Sequence, residues 1–253
     1  MATVEFQNVT LEVGGKYFLE NVSFHLDSGA SMAITGPPGC GRSLVLRLVQ
    51  GLPGMQKDDN VRLWGDVLIG GESVYDLDEK GLVNLRLRVG SVMGERELVD
   101  NMDVDRNISL ALTYHSDNNM DNGYIYKRCR EVAQWVGIED LLGTGLRPVH
   151  LNQMERKCVV LARALSLDPE IILLDDICAG IDAHNINKLL GILTEEKLSH
   201  CTRMLTTSRL STVARAFTSY AVLNDGNFFY IRNSDDLLEC DDPWIRAELS
   251  NLA

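Results

Sequence analysis

The stretch Gly36-Pro37-Pro38-Gly39-Cys40-Gly41-Arg42-Ser43 decides how this chain is read. It follows the phosphate-binding loop pattern G-x4-G-K-[ST] except at Arg42, where the pattern has lysine. The apolar run Ser31-Met32-Ala33-Ile34 leads into it, and Leu44-Val45-Leu46-Arg47-Leu48-Val49 leaves it as an amphipathic helix. Strand, glycine turn and helix start, in that order, are the context such a loop needs. The glycines let backbone N–H groups curl around a polyphosphate, and the helix start adds a positive end. Gly36, Gly39, Cys40, Gly41, Arg42, Ser43 and Leu44 are therefore the candidate phosphate cradle, with Ser43 also expected at a Mg2+ ion.

A second element answers the first. Ile171-Ile172-Leu173-Leu174-Asp175-Asp176 is an apolar strand ending in two carboxylates. A buried parallel strand delivers acids to its C-terminal end, the edge where ligands sit in such sheets. Asp175 is expected to hold Mg2+ through water, and Asp176 to stand where a catalytic base would. A glycine turn or a strand ending in Asp is commonplace alone; the pair points to ATP with Mg2+.

Composition narrows the class. The 253 residues suffice for one large domain, and 45% hydrophobic with 24% charged residues is ordinary globular protein. A formal charge of −12 argues against nonspecific nucleic-acid binding, which demands a basic face. No apolar run approaches the ~20 residues that span a bilayer, and no leader-like N-terminus is visible. The expected location is cytoplasmic, with any membrane role peripheral and supplied by a partner. Six scattered cysteines with no C-x-x-C pair read as reduced thiols.

Outward from the loop, residues 4–9, 11–13 and 21–26 alternate apolar and polar, as short partly exposed strands do. Residues 61–69 and 72–74 read as a further strand pair. From about 95 to 157 the pattern is polar and helical, broken by a loop over 115–123, and predicts an inserted helical subdomain. From Cys158 the α/β alternation resumes: helix 158–167, strand 171–174, helix about 184–198 and strand 203–207. A hairpin turns at Asn224-Asp225-Gly226-Asn227. Strands alternating with helices imply a parallel sheet.

At this point the chain resembles, over essentially its full length, the ATP-binding subunit of ABC transporters. Leu151-Asn152-Gln153-Met154-Glu155 stands where that family carries L-S-G-G-Q, followed by Leu161-Ala162-Arg163-Ala164-Leu165. Ala179-Gly180-Ile181-Asp182 matches the D-loop, with Asp182 as its acid. Val89-Gly90-Ser91-Val92-Met93 leads to the Q-loop position at Gly94, and Thr206-Thr207-Ser208 ends where the switch histidine belongs. The resemblance implies a RecA-like parallel sheet core, an N-terminal antiparallel β subdomain and an inserted helical subdomain. It divides the chain into a cassette over 1–232 (core and β subdomain 1–94 and 158–232, helical subdomain about 95–157) and a C-terminal extension over 233–253. It also implies a membrane permease, met through Leu98, Val99 and Met102, on the cytoplasmic face of the inner membrane. Asp242-Pro243-Trp244-Ile245-Arg246-Ala247-Glu248-Leu249 is similar to the tail of Mla/MCE-type lipid transport ATPases. Asp242 would cap that helix, with Ile245, Leu249 and Leu252 on one face. Such a tail either reaches a partner ATPase or packs on its own domain.

The departures from the family pattern bear on chemistry. Arg42 keeps the charge of the missing lysine but is bulkier and aimed differently. Asp176 is one methylene shorter than the usual glutamate. Gly94 lacks the glutamine that contacts metal and senses the γ-phosphate. Ser208 is too short for the histidine's reach. Gln153 and Met154 replace glycines needed for close approach to the γ-phosphate of the opposite subunit. Val13 holds the place of the adenine-stacking aromatic, with Tyr17 a substitute. Phosphoryl transfer is mostly positioning and electrostatics, so hydrolysis is expected to be weak or lost while nucleotide binding is less affected. Three functions stay open: a degenerate transporter subunit, a slow transport ATPase, and a soluble ABC protein without a permease. Homodimer and heterodimer are equally compatible with the motifs.

Overall fold

The computed structural model describes residues 2–52, 60–94, 97–115, 121–241 and 243–250. Residues 116–120 of the polar loop, Asp242 as a helix cap and Leu252 on the tail face lie outside them. The chain begins with antiparallel strands β1 (Val4–Val13) and β2 (Lys16–Leu26), whose alternation buries Val4, Phe6, Val9 and Leu11. β3 (Ser31–Thr35), buried at every residue, runs into the glycine loop and α1 (Arg42–Val49). β4 (Val61–Ile69) and β5 (Glu72–Ser73) complete a four-stranded antiparallel sheet in the order β2-β1-β4-β5. α2 (Glu79–Leu87) and β6 (Val89–Val92) follow.

The middle of the chain is helical, as its patterning implied: α3 (Val104–His115), α4 (Asn122–Trp135) and α5 (Gln153–Leu165). α5 starts five residues earlier than the expected helix at 158, because Asn152 caps it. The α/β alternation then gives β7 (Ile171–Asp175), α6 (Ala183–Thr194), β8 (Thr202–Thr206), α7 (Leu210–Val213), β9 (Ser219–Asn224) and β10 (Asn227–Ile231). The expected helix to 198 ends at Thr194, and a separate 3-10 turn covers Glu196–Leu198. Short helices α8 (Ser234–Leu238) and α9 (Pro243–Leu249) end the described chain.

The second sheet has the order β10-β9-β3-β8-β7-β6, parallel except for the β9–β10 hairpin. Its register aligns the strand ends that matter. Thr206 faces both Ile34 and Asp175 across neighbouring strands, and Val92 faces Leu174. One edge therefore collects the glycine loop, Gly94, Asp175, Asp176 and Ser208. Two apolar clusters flank this sheet, one under the antiparallel sheet and α1, the other among α3–α6. Phe6, Phe24 and Phe228 stack at 4.5 and 5.0 Å between centroids and tie the two sheets together. Trp244, Ile245 and Leu249 pack on the helical cluster, with α9 against α7, so the tail helix lies on its own domain.

Candidate functional site

The glycine loop closes tightly on the core. A Cβ at Gly36 would sit 2.0 Å from the Leu223 carbonyl oxygen, and φ there is +151°, so only glycine fits. Gly41 takes a left-handed conformation at the start of α1, and no side chain caps that helix, which leaves its first-turn N–H groups for an anion. Arg42 does not project into that space as a lysine ammonium would: its Nη1 donates to the carbonyl of Gly36, at the loop's own base. Burial pushes the Cys40 thiol up, against the pull of Arg42. Phe18, rather than Tyr17, packs at Gly41. Strand alternation puts their side chains on opposite faces, and Tyr17 is exposed. Phe18 was legible only once β2 was seen to pass beside the loop.

Behind the loop, Ser43 Oγ donates to Asp175 Oδ1 at 2.8 Å, and Thr206 Oγ1 donates to the same oxygen. A hydroxyl and a carboxylate are the hard oxygen donors that Mg2+ takes, usually completed by phosphate oxygens and water. The residues fit that ion, and Ser43 and Asp175 would hold it. Its chemistry there would be to neutralise charge on the phosphates.

The catalytic positions are less favourable. Asp176 has φ +47°, and its N–H is engaged by the Thr206 carbonyl at 3.1 Å and hydroxyl at 3.0 Å. Asp176 and Ser208 line one small cavity of about 100 Å3 with Gly180 and Arg209. A larger cavity of about 440 Å3 opens on the other side of Asp176, between Gly94, Leu98, Gln153, Arg156 and Asp175. A Cβ at Gly94 would meet nothing within 4 Å among the described residues, but φ there is +154°, so the backbone itself favours glycine and a side chain would be strained.

The L-S-G-G-Q position carries a feature that the sequence reading missed. Asn152 Oδ1 accepts from the Glu155 N–H at 2.9 Å, and Glu155 Oε2 accepts from the Asn152 N–H at 2.8 Å. This capping box satisfies the start of α5 internally and holds a carboxylate there. The N-x-x-E spacing was the available signal. Gln153 lies across Gly180 of the D-loop. Met154, expected to obstruct the opposite phosphate, is buried in its own helical core instead, as is Leu151. Asp182 likewise caps its own helix: Asn185 N–H bonds to it at 3.0 Å and Asn185 Nδ2 at 2.6 Å, which holds its carboxyl below the usual range.

Of the three residues expected to meet a permease, Leu98 lines the cavity at Gly94, while Val99 and Met102 lie in a turn held by Asn107. Asn107 accepts from Val99 N–H and donates to the Val99, Met102 and Asp103 carbonyls, pinning that turn onto α3. A further groove, about 640 Å3, is lined by Arg47, Arg86, Glu97, Tyr114, Arg163 and Leu167 among others. Within it, burial pushes the Glu97 carboxyl up to about 7, against the pull of Arg163 and with Asp175 adding to the rise. From about pH 4.5, the ordinary value, to about 7 the folded chain keeps this proton while the unfolded chain has lost it. This contribution to stability is full below the ordinary value and is lost as pH rises through about 7. Melting temperatures across that window are expected to fall for the wild type relative to E97Q; parallel curves would contradict the shift.

A glycine loop on a helix start, a Ser–Asp pair behind it and acids at one parallel-sheet edge define a P-loop nucleotide-binding cassette. The chain belongs to the ABC transporter family, whose model matches residues 19–179. It is 25% identical over 235 residues to the methionine import ATP-binding protein MetN of Clostridioides difficile strain 630, covering 92% of this chain and 70% of that protein. It is 30% identical over 228 residues to methionine import ATP-binding protein MetN 1 of Pseudomonas syringae pv. syringae strain B728a, covering 88% of this chain and 65% of that protein. This chain thus spans about two thirds of these relatives' own length. Among solved structures, the ADP- and Pi-bound dimer of the ATP-binding cassette MJ0796 superposes with a TM-score of 0.76 at 25% identity, over 91% of this chain and 99% of that one. The fold is shared with cbiO1 from Clostridium perfringens, at a TM-score of 0.81 and 21% identity over 96% and 93% of the two chains.

Proposed function

We propose that this chain is the cassette subunit of a membrane transporter, that it binds nucleotide weakly, and that it hydrolyses ATP slowly or not at all. Its part is then structural or regulatory, beside a permease on the cytoplasmic face and in a homodimer or heterodimer of cassettes. One observation carries the reading: the start of α5, which in this family faces the partner's nucleotide, is occupied by its own Asn152–Glu155 box. A carboxylate there repels the γ-phosphate it would have to hold. The engaged Arg42, the bare Gly94, the short Asp176 and Ser208 point the same way. No helix among the described residues is long and apolar enough to cross a membrane, and the arginine-lined groove beside Glu97 is the surface we assign to the permease. We keep the division into a cassette over 1–232 and an extension over 233–253.

The relatives named above argue for a small-solute importer. The tail resemblance alone supports lipid cargo, and its helix packs on its own domain. A slow ATPase is the second reading, favoured by the intact Ser43–Asp175 pair. Calorimetric binding of ATP and ADP with Mg2+, run beside phosphate release on the same preparation, separates the two. Binding without release above background is expected. Steady release that disappears in D176N would overturn the proposal.

A further inference from the structure

No side chain stands at position 94, yet the described residues on either side of the loop after β6 are held together. The backbone N–H of Met93 donates to Glu97 Oε1. From α5, Arg163 Nη1 donates to the Glu97 carbonyl at 2.8 Å, and Nη2 lies 3.3 Å from Glu97 Oε2. The two side chains are only 19% and 17% exposed. One acidic residue thus holds the end of β6 through the Met93 N–H and a separate helix through a guanidinium. With Glu97 ionised, above about pH 7, a charge-assisted contact of this burial is worth more than a surface ion pair, and removing either partner strands the other.

We propose that Glu97 is a positioning residue that fastens the loop after β6 to α5 through Arg163, so that the sheet edge at Gly94 and the helix starting at Gln153 move as one body. In this family the loop's glutamine would make that link respond to nucleotide; here the link is internal to the chain. The inference rests on the reading that position 94 no longer senses phosphate. The bland competitor is a local cap, in which Glu97 ties only its own loop and Arg163 is a bystander.

Amide hydrogen exchange at Met93 in the full chain, run above about pH 7 where Glu97 is ionised, tells them apart. E97A is expected to speed this amide by about tenfold, the scale of one lost hydrogen bond to a charged group. R163A, a change on the other element, is expected to do the same, and the double variant no more than either single one. Wild-type exchange rates in R163A, or additive effects in the double variant, would reduce Glu97 to a local cap and overturn the proposal. Should R163A fail to fold, R163K and E97Q complete the same cycle, since neither keeps both the forked donor and the charge pair. Wild-type rates should also be unmoved by saturating MgATP, with binding confirmed by calorimetry. Slowing on MgATP would sink the reading of position 94, a failure distinct from that of the R163A arm.

Discussion

Restoring the family's residues at the four departures around the glycine loop and the sheet edge, R42K/G94Q/D176E/S208H, is expected to leave phosphate release near background. Adding N152S/Q153G/E155Q to the same chain should raise it by about 10²-fold or more. The difference between the two steps comes from the start of α5. Each nucleotide in an ABC dimer lies between one subunit's glycine loop and the other's L-S-G-G-Q segment. In a homodimer the repaired loop would still face Glu155, held in place by its bond to the Asn152 N–H. N152S and E155Q keep the hydrogen-bonding capacity of the box but remove its negative charge, and with it the repulsion of the γ-phosphate. Met154 stays as it is, because it is buried in the helical core and truncation to glycine would open a cavity costing about 2–5 kcal/mol. Q153G costs about 1 kcal/mol of helix propensity, which the fold should tolerate. Single-turnover phosphate release measures both steps. Activity already present after the first four changes would show that the end of α5 is not the obstacle.

Much of this arrangement was legible in the sequence, for identifiable reasons. The glycine loop, the acidic exit of the strand at 171–175 and the Thr206–Ser208 strand end are local patterns, and parallel register brings them to one edge without further information. The helical middle was legible from its polarity and periodicity. What escaped depends on partners distant in sequence. Phe18 reaches Gly41 only because β2 crosses beside the loop. Asn107 holds the 99–103 turn onto α3, and no composition signal says where a turn will point. Arg42 looked like a slightly wrong lysine; its bond to the Gly36 carbonyl shows a guanidinium spent on its own loop. The box at Asn152 and Glu155 is local and could have been read, had the segment not been scored against the family's glycines alone.

Asp175 is the group on which stability and metal binding meet, and two substitutions there should part them. Its Oδ1 accepts from Ser43 on α1 and from Thr206 at the end of β8, and Thr206 in turn accepts the N–H of Asp176. One carboxylate oxygen therefore joins the phosphate loop to two strands of the sheet. D175A removes the acceptor and leaves two part-buried hydroxyls unsatisfied, at about 1–3 kcal/mol each. For a chain of this size each kcal/mol lowers the melting temperature by about 2–4 °C, so a fall of order 5–15 °C is expected. D175N keeps an acceptor oxygen in place and should melt within a few degrees of the wild type, by roughly 2–4 °C, yet it loses the charge that Mg2+ requires. Titrating ATP with and without Mg2+ should then show a metal-dependent gain in affinity for the wild type and none for D175N. If D175N kept the metal dependence, Asp175 would be a structural acceptor only, and the cassette would hold its nucleotide through the glycine loop without a protein-bound ion.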